Sequence, residues 1–324
     1  MQLSQRPRRL REHAILRDAI VDVDVRKNHL MLPLFIADIP EAKDIPAMPG
    51  IKQHNPISLV KSLEPLIKNG LRMFILFGTP KEKDPLAKAA YSPNSIVSQT
   101  LQLLRKQYGQ DIYLATDVCL CAYTDHGHCG VIEHDRIDND KSVELLAKMA
   151  LVHAQAGANM VAPSDMMDGR IQGIRSLLDE HGMTHTALMS YCIKYASSFY
   201  GPFRYAADST PAFGDRKTYQ MDFRRQDEVE RQATLDLEQG ADILMVKPAQ
   251  SYLDIVYRLR AMSPAPLAVY QVSGEYAMIK YAAEKGALDE QKAVIESWTA
   301  FRRAGANIIL TYYAEKALLE QWLN

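Results

Sequence analysis

The chain has 324 residues, 47% hydrophobic and 24% charged, proportions of a folded globular protein that exclude a disordered or collagen-like chain. A formal net charge of -1 leaves no global basic field to hold nucleic acid or an anionic membrane, and no apolar run approaches the roughly 18 residues of a membrane helix. Four cysteines are too few for a disulfide scaffold and fit a reducing, cytoplasmic setting.

Residues 1–30 open with Arg6, Arg8, Arg9 and Arg11. They lack the apolar core of a secretory signal, and Glu12 and Asp18 argue against a transit peptide. They read as an extended arm, which needs a surface to pack on; a neighbouring subunit would supply one.

From Leu32 onward the chain alternates. Short apolar or β-branched runs cover 32–38, 73–78, 112–118, 160–165, 186–192, 242–248, 267–272 and 307–313. Helical spacing separates them, as in Val143, Leu146, Ala147, Ala150 and Leu151, or Val229, Ala233, Leu235 and Leu237. Several runs follow a Gly that suits a helix C-terminus: Asn69-Gly70, Ala156-Gly157-Ala158-Asn159, Gln239-Gly240-Ala241-Asp242 and Ala304-Gly305-Ala306-Asn307. Near-continuous apolar strands after capped helices describe a buried parallel sheet. Eight such units predict a (β/α)8 TIM barrel over 31–324, with the extended N-terminal arm in front. A doubly wound open sheet is the second choice, weakened by the lack of an early G-x-G-x-x-G turn.

In a barrel the C-terminal strand ends carry the chemistry. Here those ends bear Asp117, Ser164 with Asp165, Lys194, Lys247, Ser273 and Tyr312. Lys247 ends the run Ile243 to Val246, and Lys194 is the one charged residue between Thr186 and Phe203. Such lysines either snorkel to solvent or lose hydration. In the second case burial and a neighbouring ammonium depress the pKa, and a neutral amine attacks carbonyls to form Schiff bases.

After the third run comes Cys119-Leu120-Cys121, then Cys129, with His126 and His128 beside it. Three thiolates without a Cys-x-x-Cys pair suggest three protein ligands and a free fourth position, and soft sulfur favours Zn2+. A closed four-ligand site using either histidine, or a redox pair, are the alternatives. Cys192 reads as a strand residue without assigned chemistry. The segment 197–220, rich in Gly, Pro and Ala, suggests an active-site lid. Its Arg204, Arg216 and Lys217 would bring cations suited to a substrate carboxylate.

Taken together these features describe an aldol-type condensation with loss of water on a two-lysine, open-zinc barrel. The rivals are another lysine Schiff-base aldolase on a TIM barrel, with one imine, and a zinc-stabilised scaffold without activity.

The motifs resemble the porphobilinogen synthase (5-aminolevulinate dehydratase) family, in its zinc-dependent bacterial type. The likeness spans nearly the whole chain, from Gln5 to Arg11, through Met48-Pro49-Gly50, the Cys119–Gly130 loop, Ser190 to Arg204, Gly214 to Lys217 and Val246-Lys247-Pro248, to Tyr270 through Tyr276. It implies a lyase of haem (tetrapyrrole, porphyrin) biosynthesis that joins two 5-aminolevulinate molecules. Lys247 would hold the P-side molecule, with Ser273 and Tyr312 on its carboxylate. Lys194 would form the A-side imine, with Arg204 and Arg216 on that carboxylate and Lys217 and Gln220 nearby. Asp117, Ser164 and Tyr270 would be supporting groups, and Cys119, Cys121 and Cys129 the zinc ligands. The resemblance also implies a homo-octamer, with a hexamer as an arm-rearranged form. Many bacterial relatives use a Glu for an allosteric Mg2+; that position is Gln232 here, with Glu230 on another side of the helix. An amide is a poorer partner for hydrated Mg2+, so weak or absent Mg2+ stimulation is expected.

Overall fold

The computed structural model describes residues 3–323; the first two residues of the expected arm, and residue 324, lie outside them. Eight parallel strands form the barrel: β1 (Leu30–Ala37), β2 (Met73–Thr79), β3 (Tyr113–Val118), β4 (Met160–Pro163), β5 (Ala187–Lys194), β6 (Ile243–Lys247), β7 (Leu267–Gln271) and β8 (Ile308–Thr311). Each pairs with the next, and β8 returns to β1 through Leu30↔Ile309 and Met31↔Leu310. The sheet is therefore closed, and the open doubly wound alternative is excluded. The strands are buried nearly throughout, as parallel strands covered by helices must be.

The outer helices are α1 (Pro56–Lys68), α2 (Ile96–Tyr108), α3 (Asn139–Gln155), α4 (Arg170–Glu180), α5 (Glu228–Glu238), α6 (Leu253–Met262), α7 (Ser273–Glu284), α8 (Glu290–Ala304) and α9 (Ala314–Leu319). Their N-termini use side-chain caps where the sequence offers them: Asn55, Ser95, Asp138 and Asp289 each accept an amide hydrogen three residues on. None of the helices among the described residues is long and apolar enough to cross a membrane.

The Gly-Ala-Asx punctuation acquires a structural reason. Asn159, Asp242 and Asn307 accept an amide from the first or second residue of the preceding strand, Leu114, Leu188 and Leu267, at 2.9, 2.7 and 3.0 Å. The glycine before each has a positive φ, and a Cβ on Gly305 would lie 2.6 Å from Arg260 Cβ. The motif thus ties the bottom of the barrel, opposite the strand ends that bear the lysines.

One expectation is corrected. Leu235 does not face the core; it is 39% exposed. The inner face of α5 carries Val229, Ala233 and Asp236 instead. Asp236 is drawn inward by Arg170, whose guanidinium contacts both carboxylate oxygens at 3.2 and 3.0 Å. Residues 3–29, covering most of the expected arm, contain no buried residue and leave Leu10, Ile15, Ile20 and Val21 exposed.

Candidate active site

Strands β5 and β6 pair in register so that Lys194 stands opposite Lys247. Side chains of paired residues in a sheet leave the same face, and neighbouring strands lie about 4.8 Å apart. Both lysines therefore enter the barrel mouth together, and both are buried. The Lys247 ammonium sits in an aromatic cage, 4.3 Å from the ring centre of Tyr270, 4.9 Å from Phe203, 5.2 Å from Tyr191 and 5.3 Å from Tyr200. Ring faces attract a cation but do not replace its hydration. Burial, then the adjacent Lys194, bring the Lys247 amine down to about 7, against the opposing pull of Asp117.

Lys194 donates to the backbone carbonyl of Ser164 at the end of β4. Asp117, near the end of β3, lies beside both lysines. Burial pushes its carboxyl up to about 6, although a hydrogen bond to Ser164 and the two ammoniums act the other way. Tyr270 and Tyr312 share a hydrogen bond of 2.9 Å between their hydroxyls. Ser273, the first residue of α7, is fully buried and accepts the amide of Phe203 at 2.9 Å.

The three cysteines follow β3 directly. Their sulfurs lie within 4.8 Å of one another, and all three are buried. Zn–S bonds of about 2.3 Å in a tetrahedron separate sulfurs by somewhat under 4 Å, so modest closure would fit a metal ion. Hydrogen bonds from Cys119 and Cys121, helped by Arg216 and Lys194, hold the Cys129 thiol well below the usual range, while the same hydrogen-bond network and burial push Cys119 and Cys121 above it. That favours a thiolate at Cys129, the first donor a metal ion would meet. Neither histidine joins the cluster. His128 places Nδ1 3.1 Å from the Tyr219 hydroxyl and Nε2 3.0 Å from the Phe213 carbonyl, and His126 Nδ1 accepts the His128 amide. The histidines thus brace the loop and its cover, which disfavours the closed four-ligand alternative.

The segment 197–220 lies across the mouth. It includes the short helix Gly201–Ala206 and docks on the cysteine loop: Ala212 donates to the His126 carbonyl, and Arg216 to the Gly127 carbonyl, each at 2.9 Å. Gly127 has φ +71, and a Cβ there would lie 2.4 Å from the Thr210 carbonyl oxygen, so only glycine permits this approach. Arg216 is buried and bonds only to backbone carbonyls. Arg204 is half-buried, and burial and Arg216 both press against its charge. Arg216 also faces the Cys129 thiol, which favours its charge, and the two guanidiniums offer donors of the kind that bind an anion. Gln220 is buried beside them with neither amide atom paired. Lys217 is not brought to the mouth: its side chain is 72% exposed and faces Asp215 at 3.4 Å.

A family model described as delta-aminolevulinic acid dehydratase matches residues 4–320. The chain belongs to the delta-aminolevulinic acid dehydratase family. Among the dehydratases it resembles, that of Halalkalibacterium halodurans is 45% identical over 321 residues, covering 99% of this chain and 97% of the relative. That of Staphylococcus aureus is 46% identical over 314 residues, 96% of each chain. A crystal structure of the Toxoplasma gondii dehydratase (porphobilinogen synthase) in complex with the reaction product porphobilinogen superposes with a TM-score of 0.96 at 42% identity. It covers 98% of this chain and 92% of that one. The family assignment agrees with the lyase and TIM-barrel expectations.

Sequence reasoning missed three buried groups near this dehydratase-type site. Tyr191 projects its ring toward both lysines. Arg170 and Asp236 are paired behind β4 and β5. Glu275 sits at the start of α7. Strand alternation alone puts Tyr191, three residues before Lys194, on the other face; the register irregularity between Leu244 and Val246 turns it inward, and the other groups depend on partners distant in sequence.

Proposed function

We propose that this chain condenses two 5-aminolevulinate molecules to porphobilinogen, with loss of two waters, through Schiff bases on Lys247 and Lys194. The observation that carries this reading is the register pairing of the two lysines in a buried mouth beside three clustered thiols.

Lys247 begins the sequence. Its lowered pKa supplies a neutral amine near pH 7, which attacks the ketone of the first molecule and releases water as the imine forms. Ser273 and Tyr312 donate hydroxyl hydrogens to that molecule's carboxylate. Lys194 forms the second imine, and Arg204 and Arg216 hold the second carboxylate, with Gln220 beside them. Lys217, given its exposure, would join only after a lid movement. Asp117, Ser164 and Tyr270 support the lysines by charge, hydrogen bonding and cage packing. The aromatic walls exclude water, which keeps the imines from hydrolysis.

Cys119, Cys121 and Cys129 would hold Zn2+, which when bound supplies a Lewis acid to the A-side amino group or a hydroxide. Gln232 donates its NH2 group to Asp236 at 3.0 Å; its neutral amide oxygen is a poorer partner for hydrated Mg2+ than a carboxylate, which supports weak or absent Mg2+ stimulation. The exposed apolar residues of the arm support subunit contacts in a homo-octamer, and a hexamer on arm rearrangement. Reduced, metal-ready thiols and a near-neutral charge support a cytoplasmic enzyme without nucleic-acid or membrane partners.

Borohydride trapping with 5-aminolevulinate, followed by peptide mass analysis, tests the reading. A reduced adduct on Lys247 supports it; folded, metal-loaded protein with no adduct on either lysine would overturn it.

A further inference from the structure

Glu275 is a carboxylate with no solvent exposure and no cationic partner among its hydrogen bonds. It occupies the third position of α7 and closes a capping arrangement on Val272, whose amide it accepts at 2.8 Å. A cap alone would explain one oxygen. The same side chain also reaches across to the neighbouring strand end. There it accepts the amide of Gln250 at 2.6 Å and, at longer range, that of Ala249 at 3.4 Å. Those two residues immediately follow Lys247-Pro248.

One carboxylate thus ties the loop after β6 to the loop after β7. On the first loop the tie lies two and three residues from Lys247. On the second it lies beside Ser273. Burial pushes the carboxyl up toward neutrality, to about 7, although the backbone donors pull it back. A fold with only a helix to cap has a cheaper choice, a solvent-facing Ser or Asp. The strap reaches the lid as well. Next to Glu275, a Cβ on Gly274 would lie 2.6 Å from the Phe199 carbonyl oxygen, and Ser273 holds the Phe203 amide. Phe203 in turn packs over the Lys247 ammonium.

We infer that Glu275 is a positioning residue for the Lys247 half of the site: by bridging the β6 and β7 loops it sets the spacing between the Lys247 amine and the Ser273 hydroxyl, and so the fit of one 5-aminolevulinate molecule between them. The inference rests on the proposed function above. It assigns Glu275 no contact with substrate.

The test uses the full, metal-loaded chain as wild type, Glu275→Gln and Glu275→Asp. Three quantities are read: the rate of borohydride-trapped adduct on Lys247, steady-state kcat and KM, and the unfolding midpoint. Gln keeps the length but turns an NH2 group toward amide donors. Asp keeps the charge and the Val272 cap but is one methylene short of the β6 loop. In folded E275Q the Lys247 adduct should form about 10–100-fold more slowly, the range typical of outer-shell supports, with KM raised. E275D should retain the midpoint better than E275Q yet still trap slowly, because the cap is kept and the bridge is lost. Wild-type trapping and KM in folded E275Q would overturn the inference. If E275Q does not fold, wild-type trapping in E275D overturns it and slowed trapping supports it. Wild-type protein without a Lys247 adduct would sink the proposed function first, and this inference with it.

Discussion

Lys194 and Lys247 are register partners on adjacent parallel strands. Strand pairing, and not a flexible loop, sets the distance between the two amines. A one-residue slip would turn one of them to the helix side of the sheet. The pairing also places each charge in the other's field, so the proposed nucleophile is activated by its neighbour as well as by burial.

Lys247→Met should abolish turnover and raise stability. In the folded chain the amine sits near 7, while unfolded it has the ordinary value of about 10.5. Between those values the unfolded state binds more protons, so wild-type stability rises with pH across that window, and the full cost of the buried cation applies below about pH 7. The gain in the Met variant is expected to be a few kcal/mol at pH about 6.5 and to shrink toward pH about 10. Urea unfolding of both proteins at the two pH values checks this; a gain that grows with pH would contradict it.

Cys119→Ala should lower both bound metal and turnover, by more than the about 10–100-fold typical of losing an outer-shell support. Metal analysis and assay of the same preparation provide the check. Full turnover with no metal bound would remove the catalytic-metal claim and leave the imines standing.

Arg216→Gln is expected to reduce kcat/KM by about 10–100-fold, the worth of a charged hydrogen bond of about 1.5–3 kcal/mol. The unfolding midpoint should hold or fall slightly, because the guanidinium ties the Gly127 and Ser209 carbonyls and the neighbouring Cys129 thiol favours its charge. A lowered midpoint with unchanged kcat/KM would instead mark Arg216 as a structural tie of the lid.

Asp236→Asn removes the carboxylate paired directly with buried Arg170 and leaves only Asp165 in its field. Breaking such a pair costs about 3–5 kcal/mol, so urea unfolding should show a loss of that order. A loss within about 0.5 kcal/mol, the range of inert surface changes, would mean that Arg170 finds other partners.

Mg2+ added to chelator-treated, zinc-reloaded enzyme should leave turnover nearly unchanged. Gln232 is neutral, and an amide oxygen is a poorer partner for hydrated Mg2+ than a carboxylate. A strong increase in rate would refute the assignment of Gln232 as the reason for insensitivity.

The strands were legible because each is a short apolar run, several of them entered through a glycine, and the observed strands begin and end within about two residues of the runs. The lysines were legible for a related reason: a charge at the end of an apolar strand is rare enough to stand out. The three thiols were legible by proximity in sequence. Arg170 with Asp236 was not, because the two are 66 residues apart and α5 reads as an ordinary amphipathic helix with Leu235 inward. The carboxylate's pull on a distant guanidinium decides which face turns in, and periodicity does not contain that information. Glu275 was read only as part of a motif; its bridge to Gln250 exists only once β6 and β7 are neighbours. Lys217 shows the opposite limit, since a cation in a mobile-looking segment can as well face solvent.

In the structure, the Ser273 hydroxyl donates to the Phe199 carbonyl at 3.4 Å and accepts the Phe203 amide, while the Phe203 ring lies over Lys247. The protein's own backbone therefore holds the hydroxyl assigned to an incoming carboxylate, and its own ring shields the amine assigned to an incoming ketone. In the proposed reaction, arrival of the first molecule would be an exchange: its carboxylate takes the Ser273 hydroxyl hydrogen from the Phe199 carbonyl, and its ketone displaces the Phe203 ring from Lys247. A compound able to bond Ser273 but not to displace the ring would find the door latched, so chain length as well as charge would decide which small acids are admitted.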